Sequence, residues 1–268
     1  MRLVRGLNFL AIAALTTTVS VSNIRIEVAA ANVLALARQI EMFHPVPREL
    51  VGNALDDAGK NEVISSCEDD VSRAVATLRV YLLNQSMVIG DSEGAKSEIG
   101  RSALSAVDQR IICSPADGNA WLIRAEILQQ LFPDSAEVAA SMAMSYRLAK
   151  AESWIMGPRF NFALTHFDFV QANLRSEFAA DLQLLVEYAP PDVVAVDYVK
   201  ANDQVRSMIT DALAVLPDER RNAVAANVDR QGVTLRMSPT CLAGGAVSGY
   251  RGEIFGNVPS QIEICASQ

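Results

Sequence analysis

The chain has 268 residues, half of them hydrophobic, which is enough apolar side chain to bury a sizeable core. Aromatics are only 6% while alanine is abundant, so closely packed helices are favoured over a β-sandwich, which draws on aromatic and β-branched residues. A net charge of −8 excludes the basic face that a nucleic-acid binder needs to release counterions from phosphates, and no DNA or RNA partner is expected.

The first 25 residues have the plan of an export signal. "MRLVRG" is short and basic, "LNFLAIAALTTTVSV" is apolar with three threonines, and "SNIRIE" resumes polarity. Ser20 and Ser22 suit cleavage before Asn23, whereas Leu3 to Ile24 offers the roughly 20 residues a membrane-crossing helix takes. Residues 1–25 therefore read as a signal peptide or as a single inner-membrane anchor. The arginines before the run and the acidic remainder put the bulk of the chain in the periplasm.

Helical spacing begins at once. Ile26–Phe43 carries Val33, Ala37 and Ile40 on one stripe, and "HPVPREL" ends it because each proline restricts the residue before it. A short helix is expected through "RELVGNALDDAG". From Cys67 a longer one places Val71, Val75, Leu78 and Leu82 on a face, with acidic residues at its start. Ile99, Ala103, Val107 and Ile111 mark the next. "SPADGN" is a turn with Asn119 as cap, followed by a stripe of Trp121, Ala125, Leu128 and Phe132. Ser135 is placed to cap a helix lined by Val138, Met142, Tyr146 and Ala149, and Ala136, Ala139, Ala140 and Ala143 would let a neighbour approach closely. Pro158 either starts or kinks the helix in "AESWIMGPRFNFALTHF". Further helices are expected at 174–188, 191–201, 203–216 and 217–229, short loops making neighbours antiparallel. Arg220 and Arg221 read as a solvated helix face. After Gln231, "GVTLRM" reads as a strand, opening an irregular, β-like tail over 232–268.

Four cysteines suit an oxidising compartment. Pairing neighbours in sequence gives Cys67–Cys113 and Cys241–Cys265. With only two histidines, His44 and His166, and no CxxC, no zinc site of standard spacing can be drawn, and no metal or other cofactor is expected.

Trp121, Ala125 and Leu128, followed by small alanines and Tyr146, resemble a tetratricopeptide repeat, and Trp154 follows Trp121 by about one period of that motif. Arg124 stands where the motif has leucine and Lys150 where it often closes with proline. The resemblance covers one unit, residues 115–150. It implies an all-α fold, a right-handed array of antiparallel helix pairs over residues 26–231. The layout of an N-terminal anchor, helical pairs, a "CSPADGNAWL" segment and a "SYRLA" helix also resembles uncharacterised exported proteobacterial proteins that accompany envelope or exopolysaccharide assembly.

Motifs for bond chemistry are missing. No phosphate loop, dinucleotide fingerprint, HExxH or calcium loop occurs. The spacing around Ser248 fails the nucleophile-elbow pattern. Neighbouring carboxylates at Asp56/Asp57 and Asp69/Asp70 point about 100° apart on a helix, which is poor for acid–base work. His166 beside Asp168 reads as a surface or core histidine. Trp121 and Trp154 read as core. Arg124, Arg147 and Arg159 flank apolar stripes, and on a concave face they would clamp a partner's carboxylates. The expectation is a non-enzymatic scaffold that binds envelope proteins. The alternatives are a glycan-processing enzyme, which needs two carboxylates across one cleft, and a periplasmic ligand-binding module.

Overall fold

Every element of the computed structural model is helical, and it describes residues 26–65 and 67–237, with 231–237 by backbone alone. The N-terminal signal, Ser248, the pair Cys241–Cys265 and the tail from 238 lie outside the described residues. Among the described residues no helix is long and apolar enough to cross a membrane. The chain divides into two compact units within the "CSPADGN" turn, after Pro115, so the helical region expected as one domain over 26–231 has an internal boundary.

The first unit follows its stripes. Helix α1 (residues 26–41) buries Ala29, Val33, Ala37 and Ile40 against α2 (Arg48–Lys60) and α3 (Asp69–Ile89), whose Val51, Leu55, Val71, Val75 and Leu78 complete one core. Leu82 is only partly buried. A 3₁₀ turn (Val63–Ser65) links α2 to α3, and α4 (Glu93–Cys113) returns along α3. Gly90, at φ 79°, supplies the left-handed residue that ends α3.

The two ends of this unit are built differently. At one, the expected disulfide Cys67–Cys113 joins the start of α3 to the end of α4, with Cα atoms 5.2 Å apart. Closing a loop of that length contributes about 4 kcal/mol in the chain-entropy model. Beside it, buried Arg110 donates to the Asp69 carboxylate (2.5 Å), the Asp69 carbonyl (2.9 Å) and Ser72 Oγ (3.0 Å). Those bonds hold the Asp69 carboxyl below its usual range. At the other end, Tyr81 donates to the Val46 carbonyl (2.8 Å), and Arg48 pairs with Asp91 (2.7 Å).

The second unit opens with α5 (Gly118–Leu131) and α6 (Ala136–Leu148), closely packed. Asp117 is the cap, accepting from the amides of Asn119 and Ala120 (both 3.1 Å); Asn119 lies inside the first turn. Asp117 precedes the helix by one residue, which gives its carboxylate the better reach. Ser135 caps α6 as expected. The close approach comes from Gly118, where a Cβ would lie 2.5 Å from that of Ala149, and not from the alanine stripe, since Ala136 and Ala140 are exposed. Phe132 is also exposed, because it caps α5 where the helix has already ended.

Helix α7 (Ser153–Thr165) holds Pro158 in its interior, which denies the Trp154 carbonyl its helical donor. The chain breaks at His166 into the short α8 (Phe167–Asn173), then continues as α9 (Arg175–Tyr188), α10 (Pro191–Lys200), α11 (Asp203–Ala214) and α12 (Asp218–Met237). "GVTLRM" belongs to α12 and is not a strand: the helix begun at Asp218 runs on through Gly232 and the β-branched Val233 and Thr234. Past α6 the main packing partners are helices two apart, with α9 against α7 and α11, and α10 against α12.

Two glycines test this packing. Gly118→Ala is expected to lower stability by about 1–3 kcal/mol through the clash with Ala149. Gly52→Ala, in the open interior of α2, is expected to raise it by about 0.5–1 kcal/mol. Urea unfolding of both variants measures the contrast.

Candidate functional site

The three arginines proposed to face a partner do not converge. Arg159 is fully buried. Its guanidinium donates to both carboxylate oxygens of Asp181 (2.7 and 3.0 Å) and to the carbonyls of Ser145 (2.9 Å) and Ala149 (3.1 Å), while the Tyr146 ring lies 4.8 Å from its centre. No partner can reach it. It was misread because its stripe neighbours are apolar and the acceptors come from α6 and α9, remote in sequence. Arg124 is half-buried and donates to Ser141 Oγ on α6 (2.7 Å), with Glu137 at 3.8 Å. Arg147 alone of the three is exposed, its guanidinium against Met144 Sδ.

Arg159 sets a pattern. Its two carbonyl acceptors lie at the C-terminal end of α6, where they also accept from the backbone amides of Ala149 and Glu152. Arg206 does the same for α10, donating to the Tyr198 (3.0 Å) and Val199 (2.8 Å) carbonyls. Arg220 takes the Val186 and Ala189 carbonyls at the end of α9, and Arg221 those of Ala214 and Leu216 after α11. The adjacent basic pair is thus a double cap and not a solvated face. Side-chain donors of this kind satisfy carbonyls that would otherwise need water.

Of the residues that marked the repeat, Tyr146 and Ala125 are buried and Trp121 is half-buried, but Trp154 is 54% exposed at the start of α7. Trp154 sits in the first turn of α7, ahead of the buried run that begins at Ile155.

This unit also holds buried carboxyls that the sequence did not single out. Desolvation pushes the carboxyl of half-buried Glu126 up to about 8 and that of buried Asp197 up to about 7, the latter opposed by Lys200. Desolvation also raises Asp181 to about 6 against the pull of Arg159. His166 is pushed down by burial. Its Nδ1 lies 3.3 Å from the Gln129 amide nitrogen, which also donates to Asp134 (3.0 Å). Among the described residues no group of three or more His, Cys, Asp or Glu is placed to hold a metal ion. Asp56 and Asp57 are exposed, and Asp69 is bound to Arg110.

What the surface does offer is apolar. In the first unit Met42 (58%), Leu50 (51%), Val88 (75%) and Ile89 (60%) are exposed, with Phe43 and Met87 beside them in sequence, and Ile112 (72%) is exposed next to the disulfide. Val88 is two turns from Tyr81 and on the same helix face, so it stands between the Tyr81–Val46 and Arg48–Asp91 tethers. No family model, curated protein or solved structure matches this chain.

Two experiments test the buried groups. Arg159→Met is expected to destabilise by about 3–5 kcal/mol, and Arg159→Met with Asp181→Leu to recover part of that, since the lone buried carboxylate is gone but the guanidinium's bonds to the carbonyls are not replaced; guanidinium unfolding measures both. Acids whose folded pKa is raised bind protons more readily when folded, so they add stability below it that is lost as pH rises. Glu126 and Asp197 therefore predict a melting temperature that falls between about pH 5 and 8. Glu126→Gln and Asp197→Asn are expected to flatten that slope, each raising Tm at pH 8 by on the order of 5 °C.

Proposed function

We propose that this chain is a non-enzymatic helical scaffold, exported to the periplasm or tethered to the inner membrane by residues 1–25, that binds protein partners in the cell envelope. The close packing of sequence neighbours α3 with α4 and α5 with α6 supports a tetratricopeptide-like reading for those two pairs, and envelope or exopolysaccharide assembly is the setting that the sequence resemblance implies.

One observation carries the reading. Four arginines donate their N–H groups to carbonyls at helix ends, Arg159 fully buried, while large apolar side chains such as Leu50, Val88, Ile89 and Ile112 stand outward on the first unit. That distribution suits a protein whose work is contact rather than bond chemistry, because exposed apolar patches mark interaction sites. The disulfide supports the compartment, since such bridges persist in oxidising surroundings. Partner contact thus moves from the arginines Arg124, Arg147 and Arg159 to this apolar surface.

Fractionation with cross-linking tests it. The tagged chain is expected in the envelope fraction with Cys67 and Cys113 oxidised, and to be cross-linked to envelope proteins through a photoreactive residue at Leu50. Recovery in the cytosol with both thiols free would overturn the compartment. Failure of the Leu50 probe to capture any protein would overturn the scaffold.

A further inference from the structure

We infer that Gln129 and His166 form an acid-sensitive latch, which ties the α5–α6 turn to the break between α7 and α8 while the imidazole is neutral and releases it when the ring takes up a proton. Every group in the latch belongs to the second unit.

His166 sits where one helix ends and the next begins. Its amide donates to the Phe162 carbonyl (2.9 Å) in α7, and its carbonyl accepts from the Val170 amide (3.0 Å) in α8. The Phe162 ring lies 4.8 Å from the imidazole, centroid to centroid, and limits its rotation. Gln129, buried near the end of α5, reaches the imidazole from a helix packed against α7.

The hydrogen bonds leave one protonation state for Nδ1. The Asp134 amide donates to Gln129 Oε1 (3.1 Å), and Gln129 Nε2 donates to Asp134 Oδ1 (3.0 Å). A backbone amide only donates and an ionised carboxylate only accepts, so these two bonds fix which end of the Gln129 amide is nitrogen. Its second N–H is the one available to His166 Nδ1, 3.3 Å away. Nδ1 must therefore accept, and the imidazole is neutral with its proton on Nε2. A proton on Nδ1 would set two donors against each other. Gln129 cannot turn its amide over to relieve them without losing both bonds to Asp134. Those bonds also hold Asp134 at φ 57°, a left-handed conformation that few residues other than glycine adopt.

Among the described residues the charge acting on the ring is that of Asp134, from the α5–α6 turn. Asp168, two residues on in α8, is exposed, and Gln129 and Phe162 bring no charge. Burial outweighs the pull of Asp134 and holds the imidazole below the ordinary histidine range. The unfolded chain therefore takes up this proton first, at about pH 6.5. Folded stability from His166 is complete above that pH and is lost as pH falls below it, opposite in sign to Glu126 and Asp197. Once charged, the imidazolium has the Asp134 carboxylate as its acceptor, which competes with Gln129 for the same group.

The test uses the full chain with isotope-labelled histidine, in mild detergent for its apolar residues 1–25. The chain has two histidines, so NMR gives two sets of ring signals, with exposed His44 as the reference. At about pH 8 His166 is expected to carry its proton on Nε2, with Nδ1 bare and shifted by the Gln129 bond. Gln129→Glu puts a carboxylate oxygen in reach of Nδ1 and is expected to raise the proton affinity of His166 about tenfold or more. His166→Asn keeps an acceptor and does not titrate. From about pH 7.5 to 5.5 the folding equilibrium constant of the wild type is expected to fall roughly threefold or more relative to that variant, read by urea unfolding at each pH.

A proton on Nδ1 at about pH 8 overturns the inference, and this reading needs only the wild type. So does a proton affinity that Gln129→Glu leaves unchanged, or a wild type whose stability falls no faster with acid than that of His166→Asn.

Discussion

A guanidinium shut away from water must have its charge matched and its N–H groups accepted, or the fold loses several kcal/mol. Arg159 meets that demand with a carboxylate from α9 and two carbonyls from the end of α6. The demand fixes three helices at once. α7 must cross where α6 ends, and α9 must present Asp181 at that point. Around the pair the core closes with Phe160, Phe167 and Phe178, whose rings contact one another, and with Tyr146 under the guanidinium. Hydrophobic burial supplies the larger energy, but the ion pair selects which packing of apolar faces is allowed.

The arginine caps extend this logic along the second unit. Its helices past α6 are mostly short and joined by tight turns, so each end has few residues to fix its register. A cap from a neighbouring helix gives each end a definite mate: Arg206 binds α10 to α11, and Arg220 binds α9 to α12. A cation at a helix C-terminus is also favoured by the helix dipole. The N–H groups of these cations are engaged by carbonyls of their own chain although only Arg159 is fully buried. That engagement explains why a basic pair visible in sequence is not a free basic patch.

The first unit concentrates its constraints at one end. Disulfide, buried Arg110 and Asp69 lock the junction of α3 with α4. The opposite end is held by Tyr81 and by a half-exposed Arg48–Asp91 pair, and is otherwise apolar. Stiffness at one end leaves the other available for contact without endangering the core. The same unit keeps its paired carboxylates low in pKa, whereas the second unit raises several of its own by burial.

The sequence by itself determined the helices and many of their ends, while the pairing of Cys67 with Cys113 stayed one of three it allowed. The helices depend on local facts: apolar spacing along α1 and α3, Ser135 before α6, and the prolines that separate α1 from α2. It failed where the deciding partner lies far along the chain. Nothing near Arg159 announces Asp181, nothing near Gly118 announces Ala149, and nothing in "GVTLRM" reveals the helix that carries it. The candidate surface was equally invisible, since Val88 and Ile89 look like core on helical spacing alone. Only the tertiary structure decides which face a neighbour covers, because burial is a property of two elements meeting and spacing is a property of one.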